Sequence, residues 1–524
     1  MYLYLISENG LEILARRNIL QDRIAVFAAY ARLTMQAIVC VKRFVVFPLL
    51  AVAFAALLIP HVAMAQGHAN DACTSDTATP KAVIASCTAD IQSGSLSGVS
   101  LAVAYNNRGI AYRDTGKPAL AVADYNEAIR LNPSDVDAYV NRGVARFDLR
   151  QYAQSLSDMN YALVLQPNKK EAYYNRGLVY LGTDKIPQAL ADFTKAIELD
   201  SAYEQAFANR GFAYYLDDRY PEALADLNHA LALNDRDAYS YENRAEVYYE
   251  QGKFAQSLSD FNRSISLNPH SPFAYLGRGR LHNTTEKYIL ALSDLTHALE
   301  LEPQMRSALV WRAGSYEGLG RSKLAIIDFN SAIKLDAKVA STYTSRGVAF
   351  AMVGNRSAAL TDFSRAIHLD SKKSYFFMNR GAFYFETAQY ALAAADLAHA
   401  IALKTSSLYP VLWLHLARAH AHTGDAAEFS ANSAKNDVKR WPGPVIAMFS
   451  GKLTPAQVLT ASKTLPGTPG LPNHNTCEAH FYIGEWYALH KNSVLAKSHL
   501  RQAMTTCPYT YIEYSGAKAE LGRM

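Results

Sequence analysis

Charge is sparse in this sequence. Asp, Glu, Lys and Arg account for 19% of the 524 residues, and the formal net charge is only +5 at pH 7. Because the basic residues form no block, nucleic acid is not expected as a ligand. Half of the residues are apolar, which is typical of a globular protein. The chain is too long for one ordinary core, so several domains or an array of repeats is expected.

Motifs of enzymatic chemistry are also missing. The sequence contains neither G-x-S-x-G nor H-E-x-x-H. The glycines of 277–279 and 318–320 follow no predicted strand and do not indicate a phosphate-binding loop. His415, His420 and His422 lie close together, but no cysteine or carboxylate pattern completes a zinc site. We therefore predict no enzyme activity, no metal and no cofactor.

Long apolar runs are rare. The longest, Leu49–Ile59, is preceded by Lys42 and Arg43 and followed by Ala63-Met64-Ala65. A basic flank, a short apolar core and a small-residue cleavage site make up a secretory signal peptide. Cleavage after Ala65 predicts a periplasmic or secreted bacterial protein. In the alternative, 44–65 stays uncleaved as an inner-membrane anchor, and the chain faces the periplasm.

The predicted signal region covers residues 1–65, which is longer than usual. Met35 would begin a compact signal sequence of ordinary length. We therefore expect translation to start at Met35, with residues 1–34 upstream of the true start.

Cysteine is scarce as well. Of the five cysteines, Cys40 falls in the signal region, which leaves Cys73, Cys87, Cys477 and Cys507. An even number of cysteines in an exported chain favours disulfides over metal or redox chemistry. The count alone permits three connectivities.

Repetition, in contrast, is abundant. The tripeptide Asn-Arg-Gly stands at 107–109, 141–143, 175–177 and 209–211, each 34 residues after the last, and it returns at 379–381. The first clean copy contains two apolar-periodic stretches separated by a glycine-containing break, which predicts a helix, a turn and a second helix. Carried forward without insertion, the frame gives nine units: 102–135, 136–169, 170–203, 204–237, 238–271, 272–305, 306–339, 340–373 and 374–407.

The units share small residues at two places. The eighth place is Gly or Ala in every unit, and the twenty-seventh is Ala or Ser. Small residues at these places let two paired helices approach closely. This pattern resembles the tetratricopeptide repeat, a 34-residue helical hairpin. The resemblance implies an all-α fold, a right-handed superhelical solenoid of antiparallel helix pairs that is capped at both ends.

Atypical segments flank the nine units and are expected to cap the array. The segment 66–101 contains a stretch similar to the second helix of a unit and forms an N-terminal cap. Past residue 407 the frame shifts by two residues, and 410–476 contains a degenerate unit followed by a Pro/Gly loop. A better hairpin at 477–510 and a capping helix at 511–524 follow.

The hairpin geometry narrows the cysteine pairing. Cys73 and Cys87 would face each other across the N-terminal cap, and Cys477 and Cys507 would be neighbours in antiparallel helices. We therefore expect two local disulfides, each of which staples one end of the array.

Charged residues recur at two further places. Arg occupies the seventh place of every unit, on the first helix, and Asp occupies the twenty-third, on the second helix. We predict a structural ladder of ion pairs between the helices. The alternative, an anion-binding row, is disfavoured because an equal number of carboxylates would neutralise it. The predicted pairs are Arg108–Asp124, Arg142–Asp158, Arg176–Asp192, Arg210–Asp226, Arg244–Asp260, Arg278–Asp294, Arg312–Asp328, Arg346–Asp362 and Arg380–Asp396.

A binding groove is expected along the first helices. In tetratricopeptide repeat proteins the second, fifth, ninth and twelfth places generally point to the concave side, and here many of them are apolar or aromatic. These side chains should form an apolar patch open to solvent that suits a peptide with apolar anchors. The alternative is that they pack between neighbouring first helices. The groove residues are Phe147, Tyr174, Leu178, Leu181, Phe212, Tyr215, Tyr239, Tyr249 and Phe273.

The C-terminal part carries a second resemblance. The stretches HFYIGEWYAL (480–489) and YIEYSGAKAEL (511–521) resemble the tail of the new-lipoprotein-I type of bacterial envelope adaptor. Those adaptors are anchored and hold envelope proteases and peptidoglycan hydrolases. This chain differs from them because it has no cysteine directly after the cleavage site and many more repeats.

Together these features predict a non-enzymatic scaffold or adaptor in the bacterial periplasm. The expected partner is a protein or peptide held in the groove, and a membrane is involved only if the signal stays uncleaved. The alternative function is a membrane-tethered assembly or quality-control factor of the cell envelope.

Overall fold

The computed structural model describes residues 71–75, 77–403, 407–434, 439–466 and 473–524. The predicted signal peptide, the alternative anchor and Cys40 lie outside these residues. Within them the chain forms 27 helices and no strand. None of these helices is both long enough and apolar enough to cross a membrane.

The described chain divides into two structural units, one ending at Asn243 and the other beginning at Arg244. The N-terminal unit contains a short cap followed by helix hairpins. Its helices are α1 (Asp71–Thr74), α2 (Pro80–Ser93), α3 (Gly98–Asp114), α4 (Pro118–Leu131), α5 (Val136–Asp148), α6 (Tyr152–Leu165), α7 (Lys170–Gly182), α8 (Ile186–Leu199), α9 (Glu204–Leu216), α10 (Tyr220–Leu233) and the first part of α11 (Ala238–Glu250).

The C-terminal unit contains further hairpins and the end of the array. Its helices after α11 are α12 (Phe254–Leu267), α13 (Pro272–Thr284), α14 (Tyr288–Leu301), α15 (Arg306–Gly318), α16 (Ser322–Leu335), α17 (Ala340–Met352), α18 (Arg356–Leu369), α19 (Ser374–Glu386), α20 (Tyr390–Ala402), α21 (Tyr409–His420), α22 (Ala426–Ser433), α23 (Gly443–Phe449), α24 (Pro455–Thr464), α25 (Asn475–Leu489), α26 (Ser493–Thr506) and α27 (Ile512–Arg523).

Successive helices pair in the manner that the sequence predicts. From α5 to α18, a first helix of 13 residues alternates with a second helix of 14 residues. The first hairpin departs from this rule because α3 begins at Gly98, four residues before the predicted start of its unit. The prediction of an all-α array of helix pairs is confirmed.

The turn inside each hairpin places one residue in the left-handed region of the backbone. This residue recurs every 34 positions from Gly116, at φ 76°, to His422, at φ 56°. Glycine adopts this conformation without strain, whereas Asp218 and Ala388 adopt it at φ 59° and 58° despite their side chains. The turn therefore keeps its period of 34 residues at His422, where the sequence pattern predicted a shift of two residues past 407.

Close helix approach explains the small residue at the eighth place. A β-carbon built on Gly109 would lie 2.7 Å from the ring of Tyr125, and one on Gly211 would lie 2.8 Å from Cγ of Leu227. Tyr125 and Leu227 belong to the second helix of the same hairpin and are fully buried. Glycine thus allows a large apolar side chain of the second helix to rest directly on the first helix.

Candidate functional site

The Arg and Asp residues of the nine units meet as bidentate ion pairs. In each pair the Arg Nε and Nη2 atoms donate to the two Asp carboxylate oxygens at 2.7–3.1 Å. The Asp side chains are at most 11% exposed. The hydrogen bonds that Arg176 donates to Asp192 raise the pKa of Arg176 further above its ordinary value. A planar fork matched to a carboxylate is the strongest geometry for such a pair.

Several of these arginines make a third contact that sequence reasoning missed. Arg142 Nη1 donates to Asn126 Oδ1 at 2.9 Å, and Arg176 Nη1 donates to Asn160 Oδ1 at 2.7 Å. Each acceptor lies 16 residues earlier, on the second helix of the preceding unit. The available signal was the Asn, Thr or Ser at that place in many units. With three donors engaged, these guanidinium groups are occupied within the array and do not form an anion-binding row.

The predicted groove side chains are less accessible than expected. Leu178, Leu181, Phe212 and Tyr215 are 6%, 3%, 2% and 4% exposed, which corrects the expectation of an apolar patch open to solvent. Phe212 and Tyr215 stack with their ring centroids 6.1 Å apart, and the Phe212 ring meets the edge of Tyr239 at 6.2 Å. These side chains therefore pack against neighbouring residues of the array instead of facing solvent.

Phe147 and Phe273 are also buried, at 6% and 7% exposed. A β-carbon built on Gly182 would lie 3.1 Å from the ring of Phe147, so this ring fills the gap between α5 and the next first helix, α7. The ring of Tyr152 lies 5.7 Å from it. For Phe147 the packing alternative therefore describes the structure better than an open groove.

Three tyrosines of the predicted groove remain partly exposed, namely Tyr174, Tyr239 and Tyr249. Asn209 Nδ2 donates to the Tyr174 hydroxyl at 3.1 Å, and the Tyr239 hydroxyl donates to Asn209 Oδ1 at 3.4 Å. These residues sit on α7, α9 and α11, so a polar row crosses three successive first helices of the N-terminal unit. Burial raises the pKa of the Tyr174 hydroxyl, which keeps it neutral. Tyr249, at the start of the C-terminal unit, hydrogen-bonds Thr284 at 2.7 Å.

The four cysteines lie in two local pairs. The sulfur atoms of Cys73 and Cys87 are at disulfide distance with Cα atoms 4.8 Å apart, and those of Cys477 and Cys507 are likewise at disulfide distance with Cα atoms 5.0 Å apart. All four residues are buried. The two pairs that lie at disulfide distance are therefore the two local pairs expected from the hairpin geometry.

The three histidines of α21 and its turn do not converge. His415 Nδ1 lies 2.9 Å from Asp425, whereas His420 Nε2 lies 2.9 Å from Glu485. Ligand atoms of His420, Glu485 and Glu520 lie within 4.8 Å of one another, and a divalent metal could use this donor set. Sequence reasoning missed this group because its members are far apart in the chain.

Each member of that group already has a partner within the chain. His420 is hydrogen-bonded to Glu485, and Arg523 forms an ion pair with Glu520. Burial opposes protonation of His420, but the hydrogen bond between His420 and Glu485 helps to raise the pKa of His420 above its ordinary value. We therefore interpret the group as an ion-pair cluster that joins α21, α25 and α27.

The chain beyond α26 folds back onto the first helices of the last units. Ser515 donates to Glu386 at the end of α19, and Arg523 Nη1 donates to the Glu386 backbone oxygen at 3.0 Å. Ahead of α25, His474 Nε2 lies 2.7 Å from Glu286 in the turn between α13 and α14. We call residues 508–523 the returning tail.

The returning tail covers places that the resemblance assigns to the groove. A narrow space of about 30 Å³ separates Tyr509 and Ile512 of the tail from Val348, Ala351 and Ala382. These three residues stand at the ninth and twelfth places of their units. In this part of the C-terminal unit, a segment of the chain itself therefore occupies the groove face.

Two carboxyl groups are buried where the returning tail packs, one of them on the tail itself. Glu478 accepts hydrogen bonds from the Tyr409 hydroxyl at 2.7 Å and from Trp441 Nε1 at 2.8 Å, and Glu513 accepts one from Tyr482 at 3.1 Å. Burial, with a further contribution from Glu478, raises the pKa of Glu513 to about 8. Each of these two carboxyl groups therefore has a hydrogen-bond partner within the chain.

Family models of the tetratricopeptide repeat match four segments of the chain. They cover residues 102–135 and 171–203, then 238–271, and then 307–339. The tetratricopeptide repeats predicted from the sequence are thereby confirmed. Proteins built from such repeats act as scaffolds with extended binding surfaces. None of the curated proteins matches the sequence.

Many solved structures resemble the chain. A tetratricopeptide repeat protein from Parabacteroides merdae is 21% identical, covers 47% of this chain and 98% of its own, and has a TM-score of 0.39. The Cut9-Hcn1 hetero-tetramer of APC/C is 14% identical over 84% and 92%, with a TM-score of 0.42. YrrB, described as having an unusual peptide-binding site, is 24% identical over 35% and 95%, with a TM-score of 0.28.

Proposed function

We propose that the chain is a non-enzymatic scaffold or adaptor that is exported to the bacterial periplasm and binds a protein or peptide along its first helices. The observation that carries this proposal is the array itself, in which helix hairpins recur at a constant spacing and match tetratricopeptide repeats in both units. The arginines that could bind anions are held by internal carboxylates. The groove side chains that stay partly exposed, Tyr174, Tyr239 and Tyr249, suit a peptide better than a small charged substrate.

The polar row of Tyr174, Asn209 and Tyr239 is the best candidate contact in the N-terminal unit. Its members are close to one another on three successive helices and combine aromatic surface with hydrogen-bonding groups. Tyrosine is enriched among residues that dominate binding energy at protein interfaces. A partner segment that runs across the helices would meet Tyr174 and Tyr239, which buried Asn209 links by hydrogen bonds.

Site-specific photo-crosslinking tests this proposal. A photoreactive phenylalanine analogue is placed at Tyr174 in the full chain, expressed in its own cells, and the crosslinked products are identified by mass spectrometry. The control position is Val164, which is 73% exposed on a second helix. We expect one or a few partners at position 174 and none at 164. Identical products at both positions would contradict binding along the first helices.

Export is part of the proposal and has separate tests. Sequencing of the mature N-terminus should begin after Ala65, and non-reducing peptide mapping should find Cys73 linked to Cys87 and Cys477 linked to Cys507. Free thiols, or a link between the two ends, would contradict stapled caps in an oxidising compartment.

The second candidate is a membrane-tethered assembly or quality-control factor, favoured by the apolar run within 44–65. Release by osmotic shock would support the soluble scaffold, whereas retention with the membrane fraction would support the tethered form. In either case, the resemblance of 480–489 and 511–521 to new-lipoprotein-I adaptors suggests envelope proteases or peptidoglycan hydrolases as partners to examine first.

A further inference from the structure

The returning tail forms a cleft with the turn of another unit. One side is the turn between α15 and α16 together with the start of α16, from Leu319 to Leu324, and the other side is formed by Tyr509, Tyr514 and Lys518. Met352 and Val353, at the end of α17, complete the lining. The cleft has a volume of about 530 Å³, which lies in the range of ligand-binding pockets. Only the docked tail creates it, because its sides come from distant parts of the sequence.

The charges that line this cleft have one sign. Arg321 comes from the turn, Lys323 from the first turn of α16, and Lys518 from α27. All three are exposed, and none is within ion-pair distance of a carboxylate in the described part of the chain. No Asp or Glu contributes to the lining. A cleft with cations only raises the local concentration of anionic ligands.

Apolar surface lies next to these cations. Leu324, Val353 and Tyr509 are 42%, 38% and 50% exposed, although each is a large apolar or aromatic residue. Single residues of this kind are common on protein surfaces, but three that converge at one cleft indicate a contact site. The Tyr509 ring is held by the Tyr514 ring, with centroids 4.9 Å apart.

We propose that this cleft binds an acidic peptide segment of a partner protein, in which carboxylates flank an aliphatic or aromatic anchor. The cations fit the carboxylates, and the exposed Leu324, Val353 and Tyr509 fit the anchor. The site differs from the Tyr174 row because it uses residues of the C-terminal unit alone and depends on the returning tail. It rests on the proposed scaffold function only in that its ligand is a protein segment.

Fluorescence anisotropy with the full mature chain tests this site. The probe is a fluorescein-labelled peptide of eight residues that alternates glutamate and leucine. We expect saturable binding, and we expect the same peptide with glutamine in place of glutamate to bind on the order of tenfold more weakly. The double variant Arg321→Glu/Lys518→Glu should weaken binding of the acidic peptide by at least about tenfold, because it reverses two of the three charges.

Matched variants keep the test specific. Lys372→Glu changes an exposed lysine elsewhere in the same unit and should leave affinity unchanged, whereas Tyr509→Ala should weaken both peptides. Melting temperatures establish that each variant is folded. The crosslinking at Tyr174 should be the same in the Arg321→Glu/Lys518→Glu variant, so failure of this site and failure of the scaffold function can be told apart.

Three results would overturn the proposal. The first is an absence of binding by the acidic peptide. The second is equal binding of the glutamine peptide, or unchanged binding by the charge-reversed variant, which would reduce the cleft to an apolar surface. The third is displacement of the peptide by an equal concentration of free glutamate, which would indicate a site for a small anion.

Discussion

At the residue scale, the Arg–Asp pairs link the two helices of each hairpin. In Arg210→Ala, the Asp226 carboxylate, 9% exposed, would lose its bidentate donor. Removing one partner of a buried ion pair costs about 3–5 kcal/mol, so we expect a clear fall in the melting temperature. The control is Arg219→Ala, which removes an exposed pair with Glu222 and should change the melting temperature little. Equal, small effects of the two changes on thermal unfolding would contradict a structural ladder.

The left-handed turn residue allows a stabilising change at the same scale. Ala388 adopts φ 58° at a place where Gly354 serves one unit earlier, at φ 81°. An L-residue in this region carries about 1–2 kcal/mol of backbone strain. Replacing it by glycine removes this strain, but part of the gain is offset because glycine loses more conformational entropy on folding. Ala388→Gly should therefore raise the free energy of unfolding by about 0.5–1 kcal/mol, and Gly354→Ala should lower it by a similar amount. Denaturant titration of both variants measures this, and a loss in Ala388→Gly would show that the turn is unstrained.

At the scale of helices, the sequence period was enough to predict the hairpins. Residues that recur at one place lie on one face of one helix, so Arg108 and Asp124 could be matched across the hairpin without coordinates. The period also identified the helix faces that carry Phe147 and Leu178. It does not tell whether such a face is open to solvent or covered by the neighbouring helix. That depends on how far neighbouring first helices are separated, and Gly182 brings α7 close enough for Phe147 to pack against it.

The packing of Phe147 leads to a prediction for helix association. Phe147→Ala would leave a cavity between α5 and α7, because the ring is 6% exposed and rests on Gly182. Truncation of a buried phenylalanine costs about 3–5 kcal/mol, so the melting temperature should fall markedly even without a partner. Val164→Ala, at a residue 73% exposed, should have little effect. A Phe147→Ala variant that melts normally but fails to bind its partner would restore the groove interpretation for this residue.

At the scale of the whole molecule, the end of the chain was the least predictable part. The contact of His474 with Glu286, and of Ser515 with Glu386, joins residues far apart in the sequence that share no repeat period. Hairpin signals are local, whereas the docking of the returning tail depends on the shape of the face it covers. The sequence therefore predicted a capping helix at 511–524 but not the surface that this helix covers.

Docking of the tail also places several acids in a poorly solvated environment. Burial raises the pKa of Glu386 and Glu485 to about 7, and burial with the charge of Glu478 raises the pKa of Glu513 to about 8. For each acid the folded pKa lies above the unfolded value near 4.5, so the folded state retains a proton that the unfolded state releases as pH rises. The stability that these protonated carboxyl groups contribute is therefore present at low pH and is lost as pH rises from about 4.5 to 8.

His480 has the opposite effect on the pH dependence of stability, but only below pH 6.5. Burial and the neighbouring His499 lower the pKa of His480 to about 4, so its contribution is present above pH 6.5 and is lost as pH falls below that value. Above pH 6.5 the raised carboxyl groups act without this opposition. The raised pKa of His420 acts in the same direction as theirs, because its proton is also lost as pH rises.

Stability should therefore decline from pH 6.5 to 8.5. Each group that keeps a proton only in the folded state lowers the free energy of unfolding by about 1.4 kcal/mol per pH unit over its own range. Glu513→Gln keeps the hydrogen-bonding shape but cannot ionise, so its melting temperature should fall less than that of the natural chain between these two pH values. The control is Glu300→Gln, whose carboxylate is 66% exposed and which should follow the natural chain. Calorimetry at both pH values makes the comparison. Two results would contradict the prediction: a melting temperature that rises with pH, or a Glu513→Gln variant that is as pH-sensitive as the natural chain. Either result would show that these carboxylates are solvated and charged in the folded protein.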